Sequence, residues 1–119
     1  MKGQLSLEYL LVSVVALAML SISAAALLEV KDFSERRMDD FRSRSSAIAL
    51  ADAVEEVCAL GNGNQRTVVL HSRISADWNG ELAIGNMSRD VACEVLPADD
   101  LEGAVLVKNN NGMIKIREQ

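Results

Sequence analysis

Tyr9-Leu10-Leu11-Val12-Ser13-Val14-Val15-Ala16-Leu17-Ala18-Met19-Leu20-Ser21-Ile22-Ser23-Ala24-Ala25-Ala26-Leu27-Leu28 holds no charge, no proline and no glycine. Roughly twenty helical residues rise about 30 Å, the thickness of a bilayer's hydrocarbon core. The stretch therefore predicts a membrane-spanning helix. An ordinary secretory signal is the alternative. Its apolar part runs to about 7–15 residues before a small-residue cleavage site, which Ala24-Ala25-Ala26 could supply. Ser13, Ser21, Ser23, Ala16, Ala18 and the three alanines at 24–26 make the helix rich in small side chains. Such residues let helix backbones approach closely in lipid, where no hydrophobic drive brings helices together. A lone anchor tolerates the same residues as filler.

Working outward toward the start, the run is preceded by Lys2-Gly3-Gln4-Leu5-Ser6-Leu7-Glu8. Lys2 and the starting amine favour the cytoplasmic side, and Glu29, Lys31 and Asp32 set no positive bias beyond the run. The remainder of the chain is thus expected outside the cytoplasm. Gln4-x-Ser6-x-Glu8, with Lys2-Gly3 before it and an apolar helix behind it, resembles the class III signal peptide of archaeal type IV pilin-like proteins. The family pattern places Leu three residues after the glutamate; here that position is Val12, flanked by Leu10 and Leu11.

The resemblance implies scission between Gly3 and Gln4 by a prepilin peptidase, a membrane aspartic peptidase, with the apolar helix retained. It divides the chain into a leader at 1–3, a transmembrane and filament-core helix at 4–28, and a portion at 29–119 comprising an amphipathic helix and a β-sheet head. It further implies a homo-oligomeric helical filament assembled through the N-terminal helix, an assembly ATPase and membrane platform proteins as partners, residence in the cell membrane before assembly, an extracellular pilus afterwards, and adhesion to surfaces.

Glu8 acquires a physical role in that setting. A carboxylate at membrane depth costs several kcal/mol unless paired or protonated. In staggered identical helices the new amine of a neighbour's Gln4 supplies the opposite charge, and the pair selects one axial register. The competing reading leaves Glu8 solvated among the headgroups.

Working outward toward the end, helix is expected from Glu29 to about Leu60, with Val30, Phe33, Phe41, Ile48, Ala51, Val54 and Cys58 as its apolar stripe. The stripe weakens at Arg42-Ser43-Arg44-Ser45-Ser46, where a bend or solvated stretch is expected. Asp32/Arg36, Arg36/Asp40 and Asp40/Arg44 stand four apart, as surface pairs worth tenths of a kcal/mol do. Gly61-Asn62-Gly63 stops the helix. From Leu5 to Leu60 the rod would reach on the order of 80 Å.

Strands are expected at Thr67–Ile74, Glu81–Ile84, Val91–Leu96, Ala104–Lys108 and Met113–Arg117. Asn109-Asn110-Asn111-Gly112 signals a hairpin. A two-residue Asn111-Gly112 turn would set Lys108 opposite Lys115. A four-residue loop pairs Val107 with Ile114 and Val105 with Ile116, and is preferred because like charges repel. The fold class is α+β: a long hydrophobic and amphipathic N-terminal helix, with a small antiparallel sheet, a meander of four or five strands, packed on its C-terminal half.

Cys58 and Cys93 fit an oxidising compartment and are too far apart for a paired-cysteine metal motif. A bridge between them would stabilise by roughly 3–4 kcal/mol; two separate buried thiols are the alternative. Asn86-Met87-Ser88 matches the N-glycosylation sequon.

The 119 residues carry a formal charge of −5, and no basic patch with aromatic platforms points to nucleic acid. His71 is the only histidine, and neither a nucleophile elbow nor a phosphate-binding loop occurs. Asp77-Trp78-Asn79-Gly80-Glu81 superficially resembles a calcium loop, but its glycine is at the fourth position, and a hairpin turn explains it better. Asp99-Asp100 reads as a polar loop. No catalytic residue, metal or cofactor is expected. The leading function is a structural pilus subunit, major or minor. The alternative is a processed, membrane-anchored domain that binds a ligand or supports a secretion machine without forming the filament, and an extracytoplasmic enzyme is a weaker third.

Overall fold

The computed structural model describes Lys2–Gln119; Met1, the first residue of the expected leader, lies outside the described residues. The element order is α1 (Lys2–Leu60), β1 (Gln65–Trp78), β2 (Leu82–Ile84), β3 (Met87–Arg89), β4 (Glu94–Val95), β5 (Ala98–Asn110) and β6 (Met113–Glu118). The chain divides into two units, Met1–Met38 and Asp39–Gln119.

The first unit is helix alone, and every described residue in it is exposed. Its serines do not interrupt its apolar character. Ser13, Ser21 and Ser23 donate their hydroxyls to the carbonyls of Tyr9, Leu17 and Met19 at 2.8, 2.9 and 2.9 Å. These three hydroxyls are therefore satisfied within the helix. Further along, Lys31 pairs with Glu35 at 3.8 Å, and the Arg37 guanidinium lies 5.1 Å from the centre of the Phe33 ring. The expected pairs Asp32/Arg36, Arg36/Asp40 and Asp40/Arg44 are not among the ion pairs of the described residues.

The second unit is helix on sheet. One buried cluster joins Ala47, Leu50, Ala51, Ala53, Val54 and Val57 of α1 to Val68, Leu70, Ile74, Val105, Val107, Ile114 and others from the strands. The helical members recur at three- and four-residue steps, so they share one face. The expected stripe is corrected here. Ala51 and Val54 are buried and Cys58 packs against the cluster, but Phe41 and Ile48 are exposed, as are Val30 and Phe33 in the first unit. Helical spacing puts Phe41 and Ile48 on the side of α1 away from Leu50 and Val57. The helix continues through Arg42–Ser46, and Arg42, Ser43, Arg44 and Ser45 form the expected solvated stretch. Ser46 is buried there, its hydroxyl accepting from the His71 amide at 2.9 Å.

The sheet has six strands in the order β3-β2-β1-β5-β6-β4. It is mostly antiparallel, as expected, but it is not a meander, because β4 returns to pair with β6 in parallel through Glu94↔Met113 and Val95↔Ile114. Only Glu94–Val95 of the expected Val91–Leu96 strand pairs, and β3 was not expected.

The β5–β6 hairpin overturns the expected register. Lys108 lies opposite Lys115, Val107 opposite Ile116 and Asn109 opposite Ile114. Asn111 and Gly112 both have positive φ, 56° and 86°, the conformation of a two-residue type I′ turn, whose twist matches that of the strands. Both registers bury Val105 and Val107, since a shift of two residues preserves the face. Turn geometry therefore decides, and the lysine repulsion is accepted on the outer face.

Candidate functional site

Lys2, Gly3, Gln4, Ser6 and Glu8 all lie on α1 and are exposed. Gln4 and Glu8, four residues apart, share a helix face. A Cβ added at Gly3 would meet nothing within 4 Å, so no packing inside the chain requires glycine there. Behind these residues α1 carries a window of mean hydropathy 2.5, long and apolar enough to cross a membrane. None of that window is buried within the chain.

The Cys58–Cys93 disulfide is formed, with Cα atoms 5.9 Å apart. It ties the last turns of α1 to the segment that leads into β4. A second tie comes from asparagines. Asn109 is buried on β5; its side-chain amide donates to the Val57 carbonyl at 3.2 Å, and its side-chain oxygen accepts from the Gly112 amide at 2.9 Å. Asn64 donates its side-chain amide to the Leu60 carbonyl at 2.8 Å, and the Asn62 side-chain oxygen accepts from the Asn111 amide at 2.8 Å. Two of the four carbonyls left unpaired at the helix end are thus satisfied. Sequence reasoning missed this cluster. Its signal is the matched Asn/Gly composition of residues 61–64 and 109–112, which taken alone marks only turns.

Asn86 is exposed in the two-residue turn between β2 and β3, with positive φ confined to Gly85 at 57°. Asp77 and Trp78 end β1, and Asn79-Gly80-Glu81 forms the loop into β2. Asp99 and Asp100 lie at the start of β5 rather than in a loop, with Asp100 at φ 55° beside a break in the β1–β5 register. His71 is exposed on β1. Among the described residues no three His, Cys, Asp or Glu side chains are grouped to hold a metal ion.

Charge pairing is uneven across the sheet. Arg89 on β3 meets Asp52 and lies 3.6 Å from Glu55, both on α1. The hydrogen bond to Asp52 raises the Arg89 pKa above its ordinary value, with burial opposing and the two carboxylate charges assisting. Arg66 pairs with Glu56 of α1, and Arg73 with Glu102 of β5 at 3.3 Å. Lys108, Lys115 and Arg117 have no such partner among the described residues.

In comparisons with known proteins the chain matched no family model, no curated protein and no solved structure.

Proposed function

We propose that this chain is a non-catalytic structural subunit of an archaeal type IV-like pilus. It is cut between Gly3 and Gln4 by a prepilin peptidase, held in the membrane by residues 4–28 with its head outside, and polymerised through the N-terminal helix into a surface filament serving adhesion. The carrying observation is an apolar run, wholly exposed within the chain, directly behind Gln4-x-Ser6-x-Glu8. A run of that size needs a partner surface, first lipid and then other copies. Nothing inside the chain calls for glycine at position 3, which suits a residue read by an outside enzyme. The disulfide suits an extracytoplasmic head.

N-terminal sequencing of the mature protein tests the processing. A start at Gln4 is expected; a start after Ala26 would make the chain an ordinary secreted domain. Sheared surface fibres rich in this polypeptide test the assembly. Glu8→Gln should still be cleaved yet yield no fibres, and normal fibres from it would refute the pairing of Glu8 with a neighbour's amine. The anchored-domain reading retains one supporting observation: the second unit closes its core with residues of a single copy. Recovery only in the membrane fraction would favour it.

A further inference from the structure

The outer face of the sheet, away from α1, is electrically lopsided. At one end Lys108 of β5 stands opposite Lys115 of β6, with Arg117 two residues further along β6. Directly opposed residues bring their Cβ atoms within about 5 Å, so three cations crowd one patch. Arg66, Arg73 and Arg89 each have a carboxylate partner, and these three have none among the described residues. Val69, 57% exposed, and the half-buried Leu106 border the patch.

At the other end Asp77 closes β1 while Asp99 and Asp100 open β5, all exposed and likewise without ion pairs among the described residues. Ala76 pairs with Ala98, which brings those acids together. Nine residues of strand separate Asp99 from Lys108, about 30 Å, too far for the two ends of one copy to neutralise each other.

We infer that a second copy of this chain docks its acidic sheet end, Asp77, Asp99 and Asp100, onto the Lys108/Lys115/Arg117 patch of its neighbour. Each end repels its own kind, so unlike ends meet. Among copies aligned side by side in a filament the contact is heterologous and repeats head to tail, whereas a closed two-fold pair would join both ends reciprocally and stop at a dimer. It deepens the filament reading and rests on copies being held side by side in one membrane or fibre. The charges set orientation and register between heads, as complementary potentials do at interfaces.

The test is zero-length cross-linking of the full chain, in membranes and in sheared fibres, with a water-soluble carbodiimide that joins a lysine amine to a carboxylate. A ladder of covalent multimers is expected, with peptides joining Lys108 or Lys115 to Asp77, Asp99 or Asp100. The ladder should fade toward 1 M salt, where the screening length falls to about 3 Å. Lys108→Glu with Lys115→Glu should abolish it, and adding Asp77→Lys with Asp99→Lys should bring it back. Asp100 is left alone because of its positive φ. Fibres without these linked peptides would overturn the docking and leave the filament reading standing. A ladder in membranes from cells that shed no fibres would keep the docking and defeat the filament. A ladder ending at dimers, or one surviving the lysine reversals, would overturn the head-to-tail contact.

Discussion

Asn109 carries more of the fold than its polarity suggests. It is buried, opposite Ile114, and joins the end of α1 to the β5–β6 turn through both ends of its side chain. Asn109→Ala removes both bonds and leaves the Val57 carbonyl and the Gly112 amide without that partner. A loss of about 1–3 kcal/mol is expected, read in urea unfolding of the detergent-solubilised chain by the fluorescence of Trp78, its only tryptophan; an unchanged midpoint would refute the role. Lys108 behaves in the opposite sense. Lys108→Gln relieves the repulsion from Lys115 and should stabilise the isolated chain by roughly 0.2–1 kcal/mol, seen as a higher urea midpoint. Arg89 is simpler. Its raised pKa keeps the guanidinium charged below and through the ordinary arginine range, so its ion pairs lose their cation only in strong alkali.

At the scale of elements, a disulfide fixes how the strands meet the helix and a tight turn fixes how β5 meets β6. The disulfide closes a loop with a sequence separation of 35, and Cys93→Ser should cost roughly 3–4 kcal/mol, read by the same unfolding experiment. Gly112→Ala places a Cβ at φ 86° and should cost about 1–2 kcal/mol; a neutral result would argue against the two-residue turn. The helix, its stop at Gly61 and most strands are legible in the sequence, because apolar periodicity and turn residues are local signals. The Cys58–Cys93 bridge is legible only beside the alternative of two buried thiols, since nothing local brings residues 35 apart together. The hairpin register is not legible. The charges of Lys108 and Lys115 argued against it, and the conformational demand of Asn111-Gly112 outweighed a repulsion that solvent weakens. The parallel return of β4 depends on the contact with Ile114, which no local pattern encodes. The stripe misleads because Ile48 stands three residues before buried Ala51, near enough in helical phase to read as one face, while Leu50 and Val57 set the buried side nearly opposite it.

At the scale of the molecule, α1 carries a run long and apolar enough to cross a membrane. The full-length protein should stay in the membrane pellet through alkaline carbonate washing, and release into the wash would contradict a bilayer-embedded helix. The candidate site was legible to the extent that Lys2–Glu8 and the run behind them form a linear signal. The charge asymmetry of the sheet was not, since it arises only when β1, β5 and β6 are laid side by side.

The covalent tie between Cys58 and Cys93 has a mechanical consequence. Tension drawn along the backbone from Lys2 toward Gln119 reaches residue 58 and crosses directly to residue 93. The intervening loop, which holds β1, β2 and β3, carries no load in series. About 120 Å of contour, for the separation of 35 residues, is therefore withheld from extension. Stretched to rupture, the oxidised chain should lengthen by that much less than the reduced one.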